Sequence, residues 1–281
     1  MPEFFVGTSG FSYSEWRGTF YPRGLKPADM LGYYAQRLPT VEVNTTFYRT
    51  QPADVIAGWV TAVPPSFRFA VKAHRRITHN RRMPNLEEAV RILTEETDTF
   101  GDRLGPVLFQ LPPTAPFEEG RIERIAALLP GHWRVAYQFR HRSWHTPEVA
   151  DLIEGLGASL VFGDGERDPG VLGRGAFIYL RLRRETYSRQ RLTAWARRIR
   201  GYLDGGRDVF AYFKHEALGP DFAQRLRRSL QTSFRVSGEA FYNPGNSMKG
   251  GHGYGPVHVA GSDQLRDGGN PGPDVPRHRG A

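Results

Sequence analysis

The chain has 281 residues, no cysteine, and 38 Lys and Arg against 29 Asp and Glu, a formal net charge of +9. Without cysteine there is no disulfide framework, no thiol nucleophile and no thiolate-ligated zinc. No fully apolar run exceeds five residues, far short of the ~18 needed to cross a bilayer, and no basic leader segment precedes Glu3, so the expectation is a cytoplasmic protein without a membrane partner.

Along residues 1–230, short apolar, β-branched or aromatic runs alternate with longer amphipathic stretches. The runs predict strands at Phe4–Thr8, Val41–Asn44, Arg68–Lys72, Gly105–Leu111, Val135–Arg140, Ser159–Gly163, Ala176–Leu182 and Val209–Lys214. Between them the pattern predicts helices near 28–38, 53–62, 86–101, 118–129, 147–156, 190–204 and 217–230. Pro112-Pro113, Pro130-Gly131 and Gly205-Gly206 mark joins. Eight strands, each followed by a helix or a long loop, predict an α/β chain folded as a single (β/α)8 barrel of the TIM type. A doubly wound open sheet is the competitor, but the first strand runs Val6-Gly7-Thr8-Ser9-Gly10-Phe11, with no Gly-rich dinucleotide fingerprint after it. From Gln231 the composition changes. Residues 231–281 hold 11 Gly and 5 Pro, with apolar residues that follow neither helical nor strand period. They read as a disordered tail, separate from a barrel domain at 1–230. Charges in the tail nearly balance, which leaves the basicity in the barrel.

In a parallel barrel the chemistry sits at the C-terminal ends of the strands, and polar residues collect there. Strand 2 ends in Glu42 and Asn44, two apart and so on one face. Strand 3 ends in Lys72, followed by His74, Arg75, Arg76, His79, Arg81 and Arg82. Gln110 closes strand 4, and Gln138, Arg140 and His141 close strand 5. Asp164 follows strand 6; Arg181, Arg183 and Arg184 end strand 7; Lys214, His215 and Glu216 end strand 8. Only four of the basic residues are lysines (Lys26, Lys72, Lys214 and Lys249), and the other 34 are Arg. Arg stays protonated, whereas a desolvated Lys can act as a base or imine nucleophile, so a lysine kept inside a strand is informative. The alternative is that Lys72 merely neutralises Glu42.

These residues also carry a resemblance. Val6-Gly7-Thr8-Ser9-Gly10-Phe11, Trp16-Arg17-Gly18-x-Phe20-Tyr21-Pro22 and Thr40-Val41-Glu42-Val43-Asn44-x-Thr46-Phe47-Tyr48 resemble the YecE-like family, domain of unknown function 72. Phe69-Ala70-Val71-Lys72-Ala73 with Ile77-Thr78-His79, Gly105 to Pro113, and Phe139-Arg140-His141-x-Ser143-Trp144 continue it, in order, across roughly residues 4–230. The resemblance implies a (β/α)8 barrel and little about activity. A nucleic-acid or phosphodiester role enters only through the likeness of such barrels to metal-dependent endonucleases. The chain departs from the family pattern at Gln138, where Glu is usual, at Arg183-Arg184, where a His-Gly pair is usual, and at Lys214-His215-Glu216, where Asn-Asn-Asp is usual. Each change removes an acid or adds a base.

The expected ligand is anionic, either a phosphate-bearing small molecule or nucleic acid. Arg181, Arg183 and Lys214 lie where TIM barrels often hold phosphate, and the planar Arg fork suits its oxygens. As a phosphodiester or sugar-phosphate hydrolase, the site would use Glu42 or Asp164 as base or metal carboxylate, Lys72, Arg140, Arg181 and Arg183 against phosphate charge, and His79 or His141 as proton donor. Asn44, Gln110 and Gln138 would orient the ligand. Glu42, His79, His141, Asp164, His215 and Glu216 are of metal-ligand type, but no spacing among them favours a divalent metal, and the cofactor stays unassigned. A non-enzymatic nucleic-acid-binding module is a second reading: the basic run 74–82 with Tyr13, Trp16, Tyr48 and Trp144 interleaves charge with rings. A lysine-dependent lyase or isomerase is a third. Ser9 and Ser143 with His141 and His145 lack the nucleophile-elbow pattern of a hydrolase triad. Oligomeric state is not legible.

Overall fold

The computed structural model of the chain describes residues 1–80, 82–164 and 174–236. Eight parallel strands, β1 (Phe4–Ser9), β2 (Thr40–Val43), β3 (Arg68–Lys72), β4 (Leu104–Leu111), β5 (Val135–Phe139), β6 (Ser159–Gly163), β7 (Ile178–Leu182) and β8 (Val209–Phe213), pair in sequence order and close when β1 meets β8. The predicted TIM-type barrel is therefore present, with strand limits within two residues of those read from the sequence. The helices are α1 (Met30–Ala35), α2 (Ala53–Thr61), α3 (Arg75–Thr78), α4 (Leu86–Asp98), α5 (Arg121–Ala126), α6 (Pro147–Gly155), α7 (Arg189–Asp204) and α8 (Gly219–Val236).

Each strand splits its side chains between two cores, because successive residues point to opposite faces. Phe5, Ala70, Leu108, Ala136, Val161 and Phe210 fill the barrel interior, where Phe5 stacks on Phe210 with ring centroids 4.7 Å apart. The alternate residues, Val6, Val41, Val71, Val107 and Phe109 among them, meet the helices in a larger outer core. Helix α7 buries Leu192, Trp195, Ala196, Ile199 and Leu203, spaced three to four residues apart, so one stripe faces the sheet. Its start is fixed by Ser188, whose hydroxyl accepts from the Arg191 amide at 3.2 Å.

Two features differ from the sequence reading. The loop after β3 contains the one-turn helix α3, too short to show a period; the His74 ring caps it by accepting from the Arg76 amide at 3.1 Å. Helix α8 runs on to Val236, past the boundary drawn at residue 230, because Gln231–Val236 contains none of the Gly or Pro that marks the rest of the tail. The remainder of the tail, 237–281, and Arg81 of the basic run lie outside the described residues. No helix among the described residues is long and apolar enough to cross a membrane.

Candidate functional site at the barrel mouth

The inward positions change character along the strands. Near the N-terminal ends they are mostly apolar or small; at or one step before the C-terminal ends they are Ser9, Glu42, Lys72, Gln110, Gln138 and Arg181, all buried. Gly163 holds the equivalent place on β6, paired in register with Arg181. A Cβ there would lie 2.2 Å from the Arg181 carbonyl oxygen, so the strand pairing itself excludes a side chain.

These side chains form one hydrogen-bonded chain across the mouth. Glu42 sits at its centre and is fully buried. Its Oε1 accepts from Ser9 Oγ at 2.7 Å, Arg181 Nη2 at 2.8 Å and Asn44 Nδ2 at 3.1 Å, and its Oε2 accepts from Tyr179 OH at 2.8 Å. Arg181 Nη1 donates onward to Gln138 Oε1 at 2.7 Å, which also accepts from Gln110 Nε2 at 2.6 Å. Gln110 Oε1 then accepts from Lys72 Nζ at 2.8 Å. Arg181 is thus the buried partner of Glu42, and Lys72, read from the sequence as a candidate partner, bonds to an amide instead. On its other side the Lys72 ammonium lies 3.7 Å from the centroid of Phe47. One donor, Arg181 Nε, is buried and lacks a hydrogen-bond partner.

Electrostatics separate the two central groups. Burial alone would raise the Glu42 carboxyl, but the charge of Arg181 and the bonds from Ser9, Arg181 and Tyr179 outweigh it and hold the group at about 2. Desolvation pushes Lys72 down to about 7; the charges of Arg181, Arg183 and Lys214 push the same way, and only Glu42 opposes them. Lys214 is lowered too, by desolvation first and then by Arg183 and Arg181. The mouth therefore gathers four basic side chains around the carboxylate of Glu42, whose oxygens are already engaged, with Glu216 acting on Lys214 at the rim.

The other residues singled out in the sequence fall into three places. Asn44, Gln110, Gln138, Arg181 and Lys72 join the network around Glu42, and Arg183 and Lys214 stand exposed at its rim. His79 lies beside it, with its ring 4.9 Å from Phe47 and its Nδ1 paired with Thr78 Oγ1 at 2.9 Å. Desolvation, then the charge of Lys72, lowers His79 to about 4, so at neutral pH its ring is in the uncharged form. His141 is turned to its own loop, where Nδ1 meets Ser143 Oγ at 2.8 Å and accepts from the Ser143 amide at 3.2 Å; the exposed Arg140 precedes it. Asp164 does not join Glu42. It accepts from Tyr187 OH and, at 3.2 Å, from the Arg183 amide, and so ties the end of β6 to the loop after β7.

Two of the four aromatic residues expected to stack on bases are buried. The Trp144 ring stacks on Phe139 at 4.5 Å and its Nε1 donates to Ala115 O at 2.9 Å. Trp16 packs against Tyr13, Phe20 and Tyr21. Tyr13 OH donates to Ser9 O at 2.7 Å, and Tyr48 alone of the four is exposed. The reading from sequence missed Tyr179 and Phe47 as site residues. Tyr179 carried a signal, being two residues before Arg181 on an inward face; Phe47 carried none, because only the fold of the β2 loop brings its ring to Lys72. Among the described residues no three His, Asp or Glu side chains converge in metal-binding geometry. A separate cavity of about 300 Å³ opens at the opposite end of the barrel, between the starts of β4 and β5, lined by Asp98, Asp102, His132 and Arg134 among others.

Fold and site together define a parallel (β/α)8 barrel whose C-terminal mouth is closed by a polar, cation-rich layer. The chain belongs to the family described as "Protein of unknown function DUF72", which matches residues 5–244. It is similar to UPF0759 protein YunF of Bacillus subtilis (strain 168), with 29% identity over 154 residues, 51% of this chain and 52% of that protein. It is also similar to UPF0759 protein YecE of Escherichia coli (strain K12), with 28% identity over 109 residues, 38% and 40% of the two chains. The chain thus spans about half, or less, of the length of these curated relatives. Crystal structures of DUF72 family proteins from Thermotoga maritima (23% identity, TM-score 0.65, 84% of this chain and 99% of that one) and Enterococcus faecalis (18% identity, TM-score 0.69, 88% and 99%) share its fold.

Proposed function

We propose that the barrel mouth binds a small anionic ligand through a phosphate group, with the Lys72 amine as the reactive group of the site. The observation that carries this reading is the charge imbalance: Lys72, Arg181, Arg183 and Lys214 act on one another around two carboxylates, the buried Glu42 and, beside Lys214, Glu216. Cations held together in partly desolvated surroundings are relieved by an anion, and charge-assisted bonds to phosphate are among the stronger ones available. Lys72, Gln110, Gln138 and Arg181 each keep a few per cent of exposure, so a ligand would meet them from on top of this layer rather than from beneath it.

Hydrolysis of a phosphoester or phosphodiester is a finer version of the same reading. Glu42 is too acidic and too fully bonded to serve as its base, and Asp164 is engaged elsewhere. The base would be the neutral Lys72 amine. As a nucleic-acid module, the mouth-side loops would offer exposed rings at Tyr48 and Phe117, whereas Trp16 and Trp144 are buried. Calorimetric titration with inorganic phosphate at low ionic strength tests the binding claim. Binding should weaken about tenfold in Lys72→Met and Lys214→Met, as loss of one charge-assisted bond implies, and be unchanged in Lys26→Met. Equal affinity in all four proteins would overturn it. Release of p-nitrophenol from its phosphate esters, lost in Lys72→Met, would add the hydrolase step.

A further inference from the structure

We propose that Lys72 forms an imine with a small carbonyl compound bearing a phosphate group, the phosphate being held by the cations at the barrel mouth. This rests on the anion-binding reading and adds a substrate class and a covalent step to it. Lys72 ends β3 on the inward face, with its Nζ held from one side by Gln110 Oε1 at 2.8 Å and lying 3.7 Å from the Phe47 ring. Those two contacts fix the direction of the amine without ion-pairing it, and no salt bridge to Lys72 exists among the described residues. A carboxylate partner would keep the nitrogen protonated; an amide carbonyl orients it and leaves the free base accessible. In a chain with only four lysines, Lys72 and Lys214 are the two at strand ends, and of these two Lys72 is the buried one; unlike Arg, it can lose its proton.

The charged and titratable groups facing the amine are Arg181 on β7, Arg183 and Lys214 just beyond β7 and β8, Glu42 on β2, and the ring of His79 after α3. Three of them are cations that favour the free amine, and the same cations favour a phosphate on the incoming molecule. In the step itself the Nζ lone pair attacks the carbonyl carbon. The resulting carbinolamine keeps the carbonyl oxygen as a hydroxyl, and loss of that hydroxyl with one Nζ proton, as water, forms the C=N bond. No oxidant or reductant is needed.

The test uses the full-length protein at pH 7.5, incubated with glyceraldehyde 3-phosphate or with glyceraldehyde, reduced with borohydride and mapped by peptide mass spectrometry. Phosphate affinity is measured by calorimetry on the same preparation. The exposed Lys26 is an internal control for indiscriminate amine labelling. The proposal expects the phosphorylated aldehyde to label Lys72 about tenfold more than Lys26, since an amine near 7 is mostly free base at this pH and an ordinary lysine is not. It also expects excess inorganic phosphate to suppress that labelling, and Lys72→Arg to lose the adduct while still binding phosphate. Labelling that follows exposure alone, with phosphate binding intact, overturns the imine and leaves the anion site standing. Equal labelling of Lys72 by both aldehydes overturns the substrate class. Absence of both adduct and phosphate binding removes this proposal and the reading beneath it together.

Discussion

Glu42 is fully buried and yet ionised, because three neutral donors and one guanidinium reach its two oxygens. Replacing it by Gln would leave Arg181 buried without its counter-charge, and breaking such a pair costs about 3 kcal/mol or more. The folded-state carboxyl lies at about 2, below its ordinary value, so its contribution to stability is present above the unfolded value near 4 and is lost as pH falls toward 2. Urea unfolding should therefore show Glu42→Gln well below the wild type at pH 7, with the gap narrowing between pH 5 and 2.5; a constant gap would contradict the assignment. Glu96, on α4, has the opposite sign. It is buried, its one hydrogen bond is from the Gln51 amide at 2.6 Å, and desolvation raises it to about 7. A raised carboxyl contributes most below its unfolded value, and that contribution is lost as pH rises to the folded value. Glu96→Gln should match the wild type at pH 4 and be more stable by about 2 kcal/mol at pH 8, read from the same unfolding curves. An equal offset at both pH values would contradict it. At this scale the sequence pointed to Lys72 and Arg181 through strand position and the scarcity of lysine. It could not show that Glu42 pairs with Arg181 or that Asp164 faces Tyr187, because those partners lie on different strands and loops.

Element by element, the barrel depends on positions where adjacent strands approach too closely for a side chain. Gly163 is one: the methyl of Gly163→Ala would overlap the Arg181 carbonyl oxygen of the neighbouring strand. Overpacking of this kind typically costs about 1–3 kcal/mol, and here it would also displace the strand that carries Arg181 and Tyr179. The expected outcome is a lower melting temperature together with weakened phosphate binding; full retention of both would show that the β6–β7 register is not what seats Arg181. The strands were legible because each is a short run rich in apolar, β-branched and aromatic residues, flanked by amphipathic stretches and punctuated by Pro and Gly. What was not legible depends on tertiary contact. The four residues of α3 are too few to show a period. The buried rings of Trp16 and Trp144 read equally well as loop anchors or as stacking platforms until their neighbours are seen. A boundary at Gln231 ends α8 six residues early, because the Gly- and Pro-rich composition begins only at Gly238.

Across the whole molecule, a net charge of +9 describes the surface as much as the site, and many of the arginines that produce it lie on exposed helix faces such as that of α7. Net charge therefore predicts diffuse, salt-sensitive attraction of any polyanion, whereas the mouth predicts something narrower: one anion, sensed by one titrating amine. The two are separated by a small anion that does not itself titrate near neutrality. Sulfate binding, followed by calorimetry at low ionic strength across pH 6 to 9 in the wild type and in Lys72→Arg, is the most direct test. The account expects wild-type affinity to fall about tenfold as pH rises through 7, since the Lys72 ammonium and its charge-assisted bond are lost there, with proton uptake on binding. In Lys72→Arg, which keeps its charge throughout, the profile should be flat. Absence of saturable sulfate binding at any pH, or the same pH profile in both proteins, would contradict the claim that Lys72 lies at the centre of an anion site.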